Sequence, residues 1–260
     1  MSLGSLLSLR SSRSTTPPPI ESARVPRGVR VYAIGDIHGR ADLLADLHNR
    51  IRADASMSVK GTRCVVVYLG DYVDRGPDSP GVINMLLSAP LPGFTSVYLR
   101  GNHEAQFLDF LEHGRGGAEW MRLGGDATLH AYRAAWPTGG DEAERLASLA
   151  AGLSRAVPRE HKDFLHRLRN FTSIGDYFFV HAGVDPMRPL DDQEPRDLLW
   201  IRRRFLDWQE SFGKVVVHGH STCRRPEVRG NRIGIDTGAY LSGTLTALVL
   251  EGGRRRFITT

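Results

Sequence analysis

The sequence predicts an α/β fold of two mixed sheets packed face to face with helices outside. In the first half, short runs rich in Val, Ile and Tyr alternate with amphipathic stretches, the order of βαβ units. In the second half, strand-like runs follow one another more directly, which calls for a second sheet. The polar motifs come just after the apolar runs, where α/β sheets place their chemistry.

Element by element, strands are expected near residues 30–34, 64–69, 95–99, 174–180, 214–218, 231–235 and 245–250, all dominated by Val, Ile, Tyr and Phe. Helical periodicity marks 40–53, 79–88, 103–112, 141–155, 159–169 and 195–210. In the first of these, Leu43, Leu44, Leu47 and Ile51 form an apolar stripe opposite charged residues. Pro80 after Ser79 suits a helix start. The mostly helical stretch from 113 to 170 lies between motifs, placed to overhang a site and shape substrate choice.

A length of 260 residues with 41% hydrophobic content suits one sizeable domain, expected over 29–260. Residues 1–28, rich in Ser, Arg and Pro around Pro17-Pro18-Pro19, read as a disordered tail. That tail holds four Arg and one Glu, so +3 of the formal +5 charge lies there and +2 in the body. No aromatic interleaving accompanies the basic runs, so no nucleic-acid partner is expected. No apolar stretch approaches the ~18–20 residues of a span, so no membrane partner is expected either. Leu6-Leu7-Ser8-Leu9 is too short for a signal sequence. Cys64 and Cys223 make no disulfide framework, which points to a reducing, cytoplasmic setting.

Five motifs carry the chemistry: Gly35-Asp36-Ile37-His38-Gly39, Gly70-Asp71-Tyr72-Val73-Asp74-Arg75-Gly76, Gly101-Asn102-His103-Glu104, His181-Ala182-Gly183 and His218-Gly219-His220. Asp, Asn and His without Cys favour Mn, Fe or Zn in a hydrolytic site over a structural thiolate site. Two cations held about 3.5–4 Å apart need a bridging carboxylate, and Asp71 at a strand end is the natural bridge. In an extended segment, Asp36 and His38 would point the same way. By the same rule His218 would follow His220, and it is kept as an outer neighbour of the site. Asp236 beside Gly238 reads as a turn residue. His48, His113, His130, His161 and His166 fall in helix-like segments and read as packing or surface residues.

These motifs resemble those of the calcineurin-like metallophosphoesterase superfamily, and the Gly-Asp-Tyr-Val-Asp-Arg-Gly run resembles the phosphoprotein phosphatases, the serine/threonine protein phosphatase family. The resemblance spans about residues 30 to 250 and implies a four-layer α/β/β/α sandwich. It also implies that Asp36, His38 and Asp71 bind one metal ion, and that Asp71, Asn102, His181 and His220 bind a second. His103 would be the general acid with Asp74 as its partner. Arg75 and Arg100 would hold phosphate, and Arg202 is a further candidate for that role. Manganese is the expected metal, with iron or zinc as alternatives. The eukaryotic C-terminal loop is missing. In its place, Ile235-Asp236-Thr237-Gly238-Ala239-Tyr240, with Trp120…Gly124-Gly125…Thr128-Leu129, looks like the bacterial branch, which includes diadenosine tetraphosphate hydrolases.

The implied reaction is in-line attack of a metal-bridging hydroxide on a phosphate ester, without a covalent intermediate, since no Ser or Cys nucleophile sits in the motifs. A phosphoprotein is the expected substrate. A dinucleoside polyphosphate or another small phosphoester is the alternative, and Asp74 argues against it. A binding protein without activity fits poorly, because every ligand position holds a suitable residue.

Overall fold

In the computed structural model, which describes residues 20–88 and 91–260, the strands are β1 (Val29–Ile34), β2 (Arg63–Tyr68), β3 (Thr95–Tyr98), β4 (Phe171–Ile174), β5 (Tyr177–Val180), β6 (Val215–His218), β7 (Glu227–Val228), β8 (Arg232–Gly234), β9 (Thr246–Glu251) and β10 (Arg254–Thr259). The helices are α1 (Ala41–Ser56), α2 (Ser79–Leu87), α3 (Asn102–His113), α4 (Gly117–Trp120), α5 (Asp126–Ala131), α6 (Glu142–Ala156), α7 (Arg159–His166), α8 (Pro195–Trp200), α9 (Arg203–Leu206) and α10 (Ala239–Ser242). A wide helical turn, Met121–Gly125, joins α4 to α5.

One sheet runs β10-β9-β1-β2-β3 and the other β4-β5-β6-β8-β7. Both are mixed: β1, β2 and β3 are parallel, β9 runs against them and β10 against β9, and β5, β6 and β8 are parallel between antiparallel edges. Strand alternation divides the side chains between two faces. Val31, Ala33, Val65 and Val67 meet Tyr177, Phe179, Val215 and Val217 between the sheets. On the other face of the first sheet, Tyr32, Ile34, Val66 and Tyr68 pack under Leu44, Ile83, Phe107, Leu153 and Leu165 of the helices. Phe178, Val180 and Val216 turn outward from the second sheet against Leu198 and Phe205. The result is the expected order of helix, sheet, sheet, helix. Strands covered on both sides explain why β1 and β2 read as nearly unbroken apolar runs.

Several expectations change in detail. The strand expected at 174–180 is the hairpin β4–β5, turning at Gly175-Asp176, with Gly175 at φ +60°. β10 was hidden by Arg254-Arg255-Arg256, which is an edge strand bearing the charges that such edges tolerate. The helix expected at 195–210 breaks into α8 and α9, because Ile201 is extended (ψ 140°) and Arg202 leaves the helical region.

The amino-terminal boundary also shifts. Residues 1–19 of the expected tail lie outside the described residues, but Ile20, Ala23 and Val25 are buried in the core between the sheets. The Val25 amide donates to the Gly252 carbonyl at 3.1 Å, and the Asp176 amide to the Arg24 carbonyl at 2.9 Å. Residues 20–28 are therefore held against the body rather than forming part of a tail. A chain beginning at Val29, without Ile20 and Val25, is expected to melt about 6–24 °C below one beginning at Ile20. Full burial of a Val or Ile is worth ~1.5–3 kcal/mol, and each kcal/mol moves Tm by about 2–4 °C at this size. Equal melting temperatures by calorimetry would show that this segment adds nothing to the core.

Candidate metal centre

Five strands deliver the motifs to one edge. The chain leaves β1 for Asp36 and His38, β2 for Asp71, β3 for Asn102, β5 for His181 and β6 for His220. Within each sheet these strands are parallel, so the motifs follow their carboxyl ends, where open α/β sheets hold ligands. The backbone there is unusual. Six non-glycine residues among those described have left-handed φ, and five of them are His38, Asp71, Asp74, Arg75 and His220. Such residues cost about 1–3 kcal/mol each and gather at functional sites. This geometry replaces the extended relation expected from the sequence. Asp36 and His38 share a tight loop, and His220 turns away from the direction of His218.

Asp71 is the hub. Its carbonyl accepts from the amides of Ile37 at 3.1 Å and His38 at 2.8 Å. Its Oδ1 accepts from the His103 amide at 3.2 Å, in the first turn of α3. A side chain on Gly101 would meet that oxygen at 2.0 Å, so only glycine allows the approach. Around the carboxylate stand the Nε2 atoms of His181 at 3.4 Å, His38 at 3.5 Å and His103 at 3.9 Å. Glu104 supports the arrangement from beneath. Its carboxylate accepts from the amides of Tyr72 at 2.7 Å, Asp71 at 2.8 Å, Gly101 at 2.9 Å and Val73 at 3.3 Å. Nothing in the sequence reading assigned it this role, although its capping-box position after Gly101 was a usable signal.

The remaining expected ligands close the group. His181 and His220 each bring a ring nitrogen within 2.9 Å of Asn102 Oδ1. Asp36 Oδ2 accepts from the His220 amide at 3.0 Å. His218 faces elsewhere, edge-on to Phe205 and bonded through Nδ1 to the Gly219 carbonyl. Asp236 accepts from Thr222 and from the amide of Gly238, as a turn residue does. His48 bonds to Tyr68, and His161 to Tyr132 and Asn84, away from the centre.

The donors suit cations. His38 and His181 each point Nδ1 at a backbone carbonyl, of Val73 and Leu69, at 2.9 Å. That bond places the proton on Nδ1 and leaves the Nε2 lone pair turned toward the Asp71 carboxylate. Burial keeps these rings neutral, lowering His38 to about 3 and His220 to about 2, and lowering His181 as well. Burial, with Asp236 and Asp71, pushes Asp36 well up, the response of crowded carboxylates lacking a positive partner. Burial also works to raise Asp71, but the imidazoles around it, His181 first, hold it below the carboxylate range. Asp36 Oδ1 and His220 Nε2 are buried with no hydrogen-bond partner. His38, Asp71 and His103, and again Asp71, His181 and His220, gather ligand atoms within 4.8 Å of one another, with Asp71 common to both groups. These residues therefore fit a pair of divalent cations sharing Asp71.

Beside them, His103 Nδ1 lies 2.7 Å from Asp74 Oδ2 in a fully buried pair. Burial opposes charge on His103, but Asp71 and the bond to Asp74 outweigh it and raise its pKa. Arg75 Nη1 is 3.1 Å from His38 Nε2, and its guanidinium lies 4.9 Å over the Tyr240 ring. Arg202 is exposed, and its charge helps depress His220. Arg100 stands apart from the cluster, its Nη2 reaching the Leu165 carbonyl at 3.5 Å. Tyr240 and Trp200, which the sequence reading left without roles, flank the centre edge-on to His38 and His220.

The calcineurin-like phosphoesterase family model matches residues 29–241. Serine/threonine-protein phosphatase 2 of Escherichia coli is 35% identical over 228 residues, covering 83% of this chain and 90% of that protein. The asymmetrical bis(5'-nucleosyl)-tetraphosphatase PrpE of Halalkalibacterium halodurans is 28% identical over 231 residues, covering 83% and 87%. A provisionally named diadenosine tetraphosphatase, known from its crystal structure, shares the fold with a TM-score of 0.61 at 24% identity, over 91% of this chain and 98% of its own. With its motifs gathered at the strand ends of both sheets and a family match over most of its length, the chain belongs to the calcineurin-like phosphoesterase family.

Proposed function

We propose that this phosphoesterase is a phosphomonoesterase acting on phosphoserine or phosphothreonine in proteins. The observation that carries the reading is the buried His103–Asp74 pair beside Asp71. An alkoxide leaving group from serine or threonine needs a proton, whereas a nucleotide leaves as an already stable anion. A carboxylate that keeps an imidazole charged is therefore matched to alkyl monoesters.

In this reading Asp36, His38, Asp71, Asn102, His181 and His220 hold two divalent ions, manganese first among them, with iron or zinc as alternatives. When bound, such ions neutralise phosphoryl oxygens and lower the pKa of water. The chain's own groups do the rest. Asp74 fixes the tautomer and ring plane of His103, whose Nε2 faces the centre and delivers the proton to the leaving oxygen. Arg75 binds the phosphoryl group through paired N–H donors and is kept over the site by Tyr240. Arg202 and Arg100 join it as substrate arrives, Arg100 by exchanging its long contact with Leu165. The reading includes a cytoplasmic setting, supported by two free cysteines. No helix among the described residues is long and apolar enough to cross a membrane.

A second reading, hydrolysis of dinucleoside polyphosphates, is favoured by the partly exposed rings of Trp200 and Tyr240, which offer stacking surfaces for a base. Catalytic efficiencies on a phosphothreonine peptide and on diadenosine tetraphosphate separate the two. The peptide is expected to be the better substrate. A tenfold preference for the dinucleotide, about 1.4 kcal/mol, reverses the choice.

Two further outcomes are expected. Chelation should abolish turnover, with Mn²⁺ among the ions that restore it, and Asp71→Asn should lower the occupancy of both sites in metal analysis. Full activity of metal-free protein would end the two-metal reading. His103→Asn should lower turnover on the peptide by about 10²–10⁴ and much less on p-nitrophenyl phosphate, with metal content unchanged. Loss of an ion with His103 would make it a ligand, a role its place in the ligand cluster also allows.

A further inference from the structure

We propose that Trp120 and Thr128 are positioning residues that aim the Asp74 carboxylate at His103, and that α4, the wide turn and α5 form a clamp built for this purpose. The inference rests on the reading of His103 as the acid.

Asp74 is fully buried, and its two oxygens are divided among three side-chain donors. Oδ2 accepts from His103 Nδ1 at 2.7 Å and from Trp120 Nε1 at 2.8 Å, while Oδ1 accepts from Thr128 Oγ1 at 2.6 Å. A carboxylate held by His103 alone could still turn about its Cβ–Cγ bond. Donors on both oxygens fix its plane and the direction of the lone pair that His103 uses. The Thr128 hydroxyl also accepts from the Asp74 amide at 2.9 Å, so one side chain holds both ends of a residue in left-handed conformation.

The clamp is shaped around these contacts. Trp120 is buried and stacks on Phe107, with ring centroids 5.6 Å apart. A buried indole N–H needs an acceptor, and here that acceptor is the acid's partner. A side chain on Gly125 would strike the Trp120 ring at 2.3 Å. Gly124, at φ +108°, lies where a side chain would strike Arg75 Cγ at 2.6 Å. The Gly124 carbonyl accepts from the Arg75 amide at 2.9 Å, and the Leu123 carbonyl from Arg75 Nε at 3.3 Å. One segment therefore holds both the partner of the acid and the phosphate-binding arginine. The spacing Trp120…Gly124-Gly125…Thr128 follows from that double task.

The test uses the metal-loaded enzyme and the variants Trp120→Phe, which keeps a stacking ring without the N–H, and Thr128→Val, which keeps the shape without the hydroxyl. Each is expected to lower kcat on a phosphoserine peptide about tenfold, with KM within about twofold and metal content unchanged, as loss of one charge-assisted hydrogen bond predicts. On p-nitrophenyl phosphate, whose leaving oxygen needs no proton, the loss should stay under about threefold. Thr128→Ser, which keeps the hydroxyl, should recover most of the peptide activity. In an Asp74→Asn background, Trp120→Phe should cost less than about twofold more, because the geometry it protects is already lost. Equal losses on both esters, or full additivity with Asp74→Asn, would overturn the proposal. If Asp74→Asn itself shows no dependence on leaving group, the acid reading and this inference fall together. If it does and Trp120→Phe does not, this inference alone falls.

Discussion

The cage of amides around Asp71 is the constraint on which this edge of the molecule depends. Asp71, in the loop after β2, is held in a strained, buried position because Glu104 takes its amide, its carbonyl takes two amides of the loop after β1, and its Oδ1 takes the His103 amide. Glu104 draws the amides of the β2 and β3 loops together, while the Asp71 carbonyl draws in the loop after β1. Hydrogen bonds to charged groups are worth about 1.5–3 kcal/mol each. Several of them together exceed the ~1–3 kcal/mol cost of one left-handed residue. The strain persists because it is outweighed locally, and the direction of the side chain follows from it.

The electrostatics of the centre follow from the same burial. Histidines that would partly charge at neutral pH are kept neutral, so their lone pairs stay free. Carboxylates that water would separate are brought together, and Asp36 resists ionisation as a result. Paired cations relieve both conditions at once. In such a centre metal affinity and local stability are one quantity, because each ion cancels repulsion that folding created.

Much of the molecule was legible in the sequence where the signal was periodic or tied to a fixed spacing. β1, β2 and α1 are read from their apolar patterns, and the six expected ligands arrive at one edge because each follows a strand. Other features were hidden for physical reasons. β10 carries three arginines because an edge strand has a solvated side, so charge masked the pairing. Ile20 and Val25 sit among Pro and Arg, and only the gap between the sheets shows that they have somewhere to go. The direction of His218 was misjudged because period-two reasoning fails once the chain turns left-handed at His220. Trp120 and Thr128 lie 46 and 54 residues from Asp74. No local pattern announces a hydrogen bond at that distance.

The bond between Asp36 and His220 spans 184 residues. It joins loops from different sheets, so neither half of the chain can assemble the centre by itself. Contacts of this range are entropically slow to form, because a long loop must close before the contact can hold. The centre is therefore complete only when the two sheets have docked with their strand ends together. A nascent or partly unfolded chain presents carboxylates and imidazoles that are scattered and solvated, with little hold on metal. Acquisition of the ions is thereby tied to completion of the fold, and a misassembled chain is left without the means of catalysis.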